Sequence, residues 1–536
     1  MSKEFNIDLK KEIQLMLSEG IIFHKENKIN QARTVYNNIL KIKKNHPDAL
    51  HLLGVIELQS KNYLLAINLF NEAILQNPFN SGFYNNLGTA FKKNKNPKLA
   101  LFNYNKAIEI KPDYAEAYNN RGLVFSELQN YDLAIKDFDQ AIKIRPDYAE
   151  AYNNRGLFFS KLQNYGSAIN DFEQAIKIKP NYAEAYCNIG VMHKNIGDLE
   201  SAIKFYNQSI KIDPNFSEAF FNKSIVLLLK QNFEEGLSLY ESRKKLQKVH
   251  TRYPDNLLWD GKKSLKNKVL LIYSEQGLGD TIQFCRYIKL VADLGAKVIF
   301  EIPNNLYALL EDLEGVDKFL IKNNENKGKY DFQCPLLSLP YLLKTNLKNI
   351  PKKNPYLYAK KNRVIKWRNY LGHQDFKIGI CWQGQSGKVD IGRSFPLSLF
   401  EKIQKIKNIR LVSLQKGEGA DQLKKLPSDI KIERIDDFDS GQHAFLDTAA
   451  IMKCLNLVIT SDTSVAHLAG ALGVKTFLLL QHIPDWRWFL LKKDSPWYPN
   501  HIIFRQKKVG DWQSVFNEIS EILENIVNKK FYANSV

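Results

Sequence analysis

Residues 111–148 read KPDYAEAYNNRGLVFSELQNYDLAIKDFDQAIKIRPDY, and the segment PDYAEAYNNRG at 112–122 returns unchanged at 146–156. Prolines mark the same period along the first half of the chain, 34 residues apart, at Pro78, Pro112, Pro146, Pro180 and Pro214. A fixed period of this length indicates an array of helical units, each of which packs on its neighbours to bury its apolar face. These repeats therefore decide the fold of the first half of the chain.

The period and the residue types resemble the tetratricopeptide repeat, a unit of two helices. Within the unit 115–148, large and small residues occupy the positions that this family uses, namely Tyr118, Gly122, Phe125, Ala134, Phe138, Ala141 and Pro146. Gly122 and Ala134 are small enough for the two helices to approach closely, and Pro146 ends the second helix. About seven units are predicted within residues 13–250, and they begin near residues 13, 47, 81, 115, 149, 183 and 217.

Asparagine recurs at one position of the first helix in five successive units: Asn86, Asn120, Asn154, Asn188 and Asn222. Because first helices line the concave surface of such a superhelix, these side chains are expected to form a ladder there. An Asn amide offers both a donor and an acceptor, which is what an extended peptide backbone requires. A similar ladder lies in the superhelix of O-GlcNAc transferase, and the resemblance implies binding of a peptide acceptor. The alternative is a solvated or locally capping residue that was copied with the repeat.

The periodicity changes after residue 268. Short apolar runs alternate with amphipathic helical stretches, among them KVLLIY (268–273), KVIFEI (297–302), IGICW (378–382), RLVSLQ (410–415), LNLVITSD (455–462) and KTFLLL (475–480). This alternation predicts parallel sheets covered by helices. A linker over 251–265 should lead into two Rossmann-type domains, 266–360 and 374–530, with the ligand in the cleft at the carboxyl ends of their strands.

Two predicted strand-to-helix turns carry residues suited to phosphate and proton chemistry. In the first turn, Gly277 and Gly279 permit a tight bend and Asp280 opens a helix. In the second, Asp462 ends a strand, and Thr463 and Ser464 start a helix whose free amides suit a phosphate. Both turns are therefore candidate parts of one site.

Eight motifs in order resemble the heptosyltransferase-like family nine glycosyltransferases, in the form fused to tetratricopeptide repeats: EQGLGDTIQFCRYI, CPLLSLP, RSFPL, SLQKGE, SDTSVAHLAGALG, PDWRW, DSPWYP and FRQ. The resemblance covers about residues 250–520. It implies a GT-B-like pair of Rossmann domains, a nucleotide-sugar donor as co-substrate, an acceptor on the side of the first domain, inversion at the anomeric carbon, and no metal or other cofactor.

The resemblance also assigns roles to residues. Asp280 corresponds to the general base that removes the proton of the acceptor hydroxyl, although an aspartate here also suits a helix cap. Asp462, Thr463, Ser464 and His467 correspond to the turn that binds the donor sugar and diphosphate. For His467 the alternative is a core histidine packed under the turn.

Basic and amide residues near the predicted strand ends are further candidates for donor binding. Lys388 and Arg393 follow the strand IGICW, and a diphosphate that leaves without a metal needs cationic partners; the alternative, stronger for Lys388, is a solvated loop charge. Gln415 ends another strand facing the same cleft. An aromatic cluster is expected to pack a long loop, with stacking on a base or sugar as the alternative. It consists of Trp486, Trp488, Trp497 and Tyr498, and Arg487 lies between the first two.

Composition narrows the class of protein. The chain has 536 residues, 44% of them hydrophobic, a net charge of +19, and five cysteines without a CxxC pair. We expect a soluble cytoplasmic protein with reduced thiols, because neither an apolar span nor a secretory signal is apparent. The basic residues are spread over both halves and no nucleic-acid motif is present, so contact with anionic membrane at most, and no nucleic acid, is expected.

The sequence thus predicts a glycosyltransferase whose acceptor is a protein or peptide held by the repeats, or otherwise a cell-envelope glycan. The repeats should also bind protein partners. The alternative is a non-catalytic adaptor in which the α/β half is a degenerate sensor or scaffold, since the first α/β domain is short and the stretch DDFDSGQHAFLDTAA at 436–450 is long.

Overall fold

The computed structural model describes residues 2–247, 253–323, 328–385, 392–427, 430–441 and 443–532. The chain divides into two compact units, Met1–Met192 and His193–Val536.

The first unit is all-helical. Its helices are α1 (Ser2–Lys25), α2 (Ile29–Ile42), α3 (Pro47–Gln59), α4 (Tyr63–Gln76), α5 (Ser81–Lys93), α6 (Pro97–Ile110), α7 (Ala115–Glu127), α8 (Tyr131–Ile144), α9 (Ala149–Lys161) and α10 (Tyr165–Ile178), and α11 (Ala183–Ile196) runs across the division. Consecutive helices pair, odd with even, and the turn inside each pair contains a residue with positive φ, such as Gln129 (62°) or Gln163 (58°). That left-handed residue reverses the chain direction between the two helices of a repeat.

A glycine in each first helix faces an aromatic ring sixteen positions later. A Cβ atom at Gly122 would lie 3.0 Å from Phe138 Cε1 and 3.3 Å from the carbonyl oxygen of Ala134. Gly54, Gly88 and Gly156 are equally close to the rings of Phe70, Tyr104 and Phe172. The prediction that Gly122 and Ala134 permit a close helix approach is therefore confirmed by the geometry.

Two bidentate ion pairs bridge the helices of the central repeats. Arg121 donates from Nε and Nη2 to Asp137 at 2.7 and 2.6 Å, and Arg155 donates in the same way to Asp171 at 2.8 and 2.7 Å. Asp137 and Asp171 are buried, so each carboxylate is satisfied inside the repeat. The pairs recur because the repeat sequence recurs.

The second unit begins with the remaining helices of the array and continues into the α/β half. The helices are α12 (Leu199–Ile212), α13 (Ser217–Leu229), α14 (Phe233–Tyr240) and α15 (Arg243–Gln247). The α/β elements are β1 (Val269–Tyr273), α16 (Leu278–Phe284), α17 (Ile288–Asp293), β2 (Lys297–Ile302), α18 (Tyr307–Leu310), β3 (Lys318–Ile321), β4 (Phe332–Pro335), α19 (Leu339–Leu342), α20 (Lys361–Leu371), β5 (Phe376–Cys381), α21 (Glu401–Gln404), β6 (Ile409–Ser413), β7 (Ile432–Glu433), α22 (Leu446–Met452), β8 (Leu457–Ser461), α23 (Ser464–Ala471), β9 (Thr476–Leu480), β10 (His501–Arg505) and α24 (Trp512–Tyr532).

Both sheets of the second unit are parallel throughout. The first has the order β3-β2-β1-β4 and the second the order β10-β9-β8-β5-β6-β7. In the second sheet the strand order reverses between β5 and β8, as in doubly wound dinucleotide-binding folds. The crevice at the carboxyl ends of β5 and β8 is therefore the position in which such a sheet holds a ligand.

The division at residue 192 lies inside the repeat array rather than near residue 250, where the sequence places its end. The reason is packing of the last repeat: the ring of Tyr240 lies 6.0 Å from that of Trp486, and Phe233 lies 6.1 Å from Phe489. The segment expected to be a linker is also packed, since Trp259 is buried and its backbone N–H donates to Gln333. Apolar burial explains both differences.

Candidate functional site

The asparagine ladder connects successive repeats. The side-chain amide nitrogens of Asn120, Asn154 and Asn188 donate to the Oδ1 atoms of Asn85, Asn119 and Asn153 at 3.0, 2.9 and 2.9 Å. Asn86 donates in the same way to Nε2 of His51 at 2.7 Å. Asn222 holds the equivalent position of α13 in the second unit.

Each of these hydrogen bonds uses one of the two N–H donors of the ladder amide. Asn85, Asn119 and Asn153, the acceptors, are buried, with exposed fractions of 6%, 4% and 1%. Among the hydrogen bonds found in the described residues, none is accepted by Oδ1 of Asn120 or Asn154. The ladder therefore stabilises the stacking of successive repeats.

Asn120→Ala is expected to lower the free energy of unfolding of the first unit by about 1–3 kcal/mol, because the buried oxygen of Asn85 loses its donor. Urea denaturation followed by far-UV circular dichroism measures this change. Asn170, exposed on α10, gives a matched control whose alanine variant should stay within about 0.5 kcal/mol of the native protein. Equal effects of the two variants would contradict the structural role of the ladder.

The two predicted turns of the α/β half meet. A Cβ atom at Gly279 would lie 2.9 Å from Cδ2 of His467 and 3.3 Å from Cα of Ser464. Only glycine at position 279 lets α16, which follows β1, approach α23, which follows β8. The structure thus brings Gly277, Gly279 and Asp280 beside the turn that starts α23.

Asp280 is held by two hydrogen bonds at the start of α16. Its Oδ2 accepts the backbone N–H of Gly277 at 3.0 Å, which makes it a helix cap, and its Oδ1 accepts Nη2 of Arg487 at 2.7 Å. Burial raises the pKa of Asp280 above its usual value, although Arg487 acts in the opposite direction. The side chain of Asp280 is 21% exposed, and its two hydrogen bonds fix its orientation.

Arg487 is the residue whose role the sequence did not indicate. Its Nη1 donates to Asp485 at 2.8 Å and its Nε donates to Gln283 at 2.8 Å, in addition to the bond with Asp280. The guanidinium also lies 4.7 Å from the ring of Trp486. An arginine between two tryptophans was the available signal, but Asp280 and Gln283 lie about 200 residues earlier and no local pattern identifies them as its partners.

Asp462 is partly buried and His467 is buried, and both lie close to the turn that starts α23. Burial and the nearby Asp485 raise the pKa of Asp462 to about 6. His467 is buried, its Nδ1 is hydrogen-bonded to the hydroxyl of Tyr498 at 3.0 Å, and its ring stacks on Trp488. Burial lowers the pKa of His467 well below its usual value, so the ring is neutral near pH 7.

A cavity of about 530 Å³ opens at the carboxyl ends of β5, β6 and β8. Its wall includes Gln415, Thr463 and Ser464 among the predicted site residues, and Asn305, which follows β2, from the first sheet. The remainder comes from the loops that follow β5 and β6 and from the long stretch before α22, the latter through Asp439, Gly441, His443, Ala444 and Phe445. Asp280, Arg393, Asp462 and His467 are not among the residues of this wall, and the ring of His467 packs against Trp488 and Tyr498 instead.

The predicted donor-binding amide and basic residues have other contacts. The Oε1 of Gln415 accepts the backbone N–H groups of Trp382 and Gln383, and its Nε2 donates to the carbonyls of Gln383 and Glu418, each at 2.8 Å. Its amide is therefore occupied in joining the loops after β5 and β6. Arg393 lies against Gly384 in the cavity wall, where its charge lowers the pKa of Asp462. Lys388 lies outside the described residues.

The aromatic cluster packs the interior. Trp486, Trp488, Trp497 and Tyr498 are each at most 2% exposed. They therefore have no face available for stacking on a base or sugar. Arg286 joins this cluster to α16, because its Nη1 donates to the carbonyl of Trp497 at 2.7 Å.

Two further properties bear on the class of protein. None of the described helices combines the length and the apolar character that a bilayer crossing requires. Within the described ranges, no group of three or more His, Cys, Asp or Glu side chains is placed to hold a metal ion.

One curated protein is similar to this chain over part of its length. The protein FlbA of Caulobacter vibrioides is 25% identical over 324 residues, which are 56% of this chain and 54% of that protein. The chain therefore spans about half the length of the curated relative that it matches.

Solved structures of repeat proteins are also similar. A tetratricopeptide repeat protein from Parabacteroides merdae is 16% identical, with 46% of this chain and 95% of that chain covered and a TM-score of 0.37. TTC0263 from Thermus thermophilus is 20% identical, with 34% and 100% covered and a TM-score of 0.32. YrrB, a TPR protein with an unusual peptide-binding site, is 25% identical, with 34% and 94% covered and a TM-score of 0.28.

Two family models match the first half of the chain. The model described as tetratricopeptide repeat matches residues 115–148 and 183–216, and the model described as TPR repeat matches residues 98–129 and 159–197. Residues 98–148 and 159–216 therefore carry tetratricopeptide repeats.

Proposed function

We propose that the α/β half is a glycosyltransferase of GT-B type that moves a sugar from a nucleotide-sugar to an acceptor hydroxyl. The observation that carries this proposal is the place of the cavity of about 530 Å³, at the carboxyl ends of β5, β6 and β8. The strand order reverses there, and open parallel sheets bind nucleotides at that point. The volume is in the range of ordinary ligand pockets.

The start of α23 supports binding of the donor diphosphate. Thr463 and Ser464 lie in the cavity wall and open a helix of eight residues. The first backbone N–H groups of a helix have no partner inside it and carry a partial positive charge, so they favour an anion. Arg393 behind Gly384 adds a positive charge to the same wall.

Asp280 is the proposed general base. A carboxylate with a raised pKa accepts a proton more readily near neutral pH than an ordinary aspartate does. Asp280 takes the proton of the acceptor hydroxyl while that oxygen attacks the anomeric carbon of the donor sugar. The bond from that carbon to the diphosphate breaks, and the nucleoside diphosphate leaves with both electrons. A single displacement of this kind inverts the configuration at carbon.

The repeats support a protein or peptide as the acceptor. Tetratricopeptide repeats commonly bind protein, and the carbonyl oxygens of Asn120 and Asn154 lie on successive repeats as acceptors for backbone N–H groups. We therefore propose a protein or peptide acceptor, with a cell-envelope glycan as the second choice.

A thermal-shift titration with UDP, GDP, ADP and CMP tests the donor site. One nucleotide should raise the melting temperature by about 3–5 °C at about 100 times its Kd. Ser464→Asp should abolish the shift, because a carboxylate at the start of α23 repels the diphosphate while it remains favourable for the helix. Ser81→Asp, at the start of α5, is the matched control and should leave the shift intact.

The second candidate function is a non-catalytic adaptor. The amide of Gln415 favours it, because its hydrogen bonds join two loops of the protein and are not available to a ligand. If none of the nucleotides stabilises the folded protein, the glycosyltransferase proposal is refuted and the adaptor stands. A shift that Ser464→Asp leaves unchanged would place the nucleotide elsewhere.

A further inference from the structure

One repeat differs from the others at exposed positions. Leu64, Leu75 and Phe79 are 70%, 78% and 81% exposed. One period later the same positions hold Lys98, Glu109 and Asp113, and two periods later they hold Asp132, Lys143 and Asp147. All six of these charged residues are exposed. The repeat fold itself therefore places no demand for an apolar side chain at these positions.

Four of the positions concerned lie on one side of α4. Leu64, Asn68, Asn71 and Leu75 follow one another at intervals of three or four residues, so they share a face of the helix, and Phe79 lies in the turn that follows its end at Gln76. Leu65, next to Leu64, is 48% exposed. We call these six residues the α4 face. Apolar groups gathered on one exposed face mark an interaction surface more often than scattered ones do.

The α4 face is nearly uncharged in a strongly basic chain. Between residues 62 and 79, Glu72 is the one Asp, Glu, Lys, Arg or His, whereas the equivalent segment 130–147 contains seven such residues. The whole chain carries a net charge of +19. A net positive charge opposes association of two copies, and this opposition is smallest where a surface carries little charge.

The polar residues of the face suit contact with an identical face. Asn68 and Asn71 are exposed, and each amide both donates and accepts hydrogen bonds. In a contact about a two-fold axis each surface meets its own copy, so an amide can pair with an amide, whereas a lysine at that position would face a lysine. We propose that the α4 face is the contact surface of a homodimer, in which two α4 helices pack antiparallel about a two-fold axis.

Sedimentation equilibrium of the full chain tests the proposal. The native protein should dimerise at micromolar concentration. The double variant Leu75→Glu, Phe79→Asp should raise the dimer dissociation constant at least about 100-fold, because it places four carboxylates in the contact of two copies. These substitutions reproduce Glu109 and Asp113 of the next repeat, so the repeat fold accepts them; unchanged circular dichroism and melting of the monomer check that point.

Leu491→Glu is the matched control. Leu491 is 91% exposed and belongs to the second unit, whereas the α4 face belongs to the first. Its variant should dimerise like the native protein. A native chain that stays monomeric at about 100 µM, or a dimer that the double variant leaves intact, would overturn the proposal.

Discussion

Arg243→Met is expected to lower the free energy of unfolding of the unit His193–Val536 by about 3–5 kcal/mol, the usual cost of removing one partner from a buried ion pair. Arg243 is fully buried, and its Nη2 donates to Glu275 at 2.7 Å and to the hydroxyl of Ser338 at 3.0 Å. Its Nη1 donates to Glu241 at 2.6 Å. The variant leaves Glu275, whose side chain is 1% exposed, without its cation.

Tryptophan fluorescence during urea denaturation isolates this effect, because all seven tryptophans of the chain follow residue 258 and therefore report on the second unit alone. Lys245→Met, at an exposed position of the same helix, is the matched control and should change the free energy of unfolding by less than about 0.5 kcal/mol. The free energy of unfolding of Arg243→Lys should lie between those of the two methionine variants, because lysine keeps the charge but loses the bidentate geometry. Equal midpoints for the methionine variants would disprove the role of Arg243.

Asp280→Asn is expected to reduce glycosyl transfer about 10²- to 10⁴-fold while the nucleotide still binds. The amide oxygen of asparagine can still accept the N–H of Gly277, so the cap of α16 survives. The amide cannot take the proton of the acceptor hydroxyl. Initial rates with the nucleotide-sugar identified by thermal shift, compared with its Kd for the same variant, measure the two effects separately.

Asp485→Asn is the control for an effect that acts through Arg487. It removes a carboxylate that pairs with Arg487 and leaves the proposed base Asp280 in place. Asp485 shares Arg487 with Asp280 but is a less buried partner, 37% exposed. This variant should lose much less activity than Asp280→Asn. Full turnover by Asp280→Asn would exclude Asp280 as the base, and equal losses in both variants would mean that Asp280 acts through Arg487 alone.

The repeats and most of the strands could be predicted from sequence because they depend on local patterns. The interval of 34 residues, the small residue at Gly122 and the apolar runs of β1, β2, β5, β6, β8 and β9 are visible within short windows. Strands β3, β4, β7 and β10 were missed, since short edge strands and runs interrupted by proline or polar residues lack that pattern.

The contacts of single charged residues could not be predicted. The basic run that starts at Arg243 is typical of a solvated connection, yet Glu275, on a segment 32 positions later, draws its guanidinium into the interior. Arg487 is a similar case, as its position between two tryptophans indicates packing and not an ion pair with Asp280. The ladder residue Asn120 was identified, but its bond to Asn85 was not, because a hydrogen bond between repeats depends on how they stack.

The hydrogen bonds between Asn residues of successive repeats also bear on how such a chain changes over evolutionary time. Each bond joins a residue to one 35 positions earlier, and both partners recur with the repeat. Duplication or deletion of one whole interior repeat brings an equivalent pair together again, so the number of interior repeats can drift without loss of this bonding. The repeat that ends at Tyr240 is not interchangeable, because its contact with Trp486 is made by that copy alone.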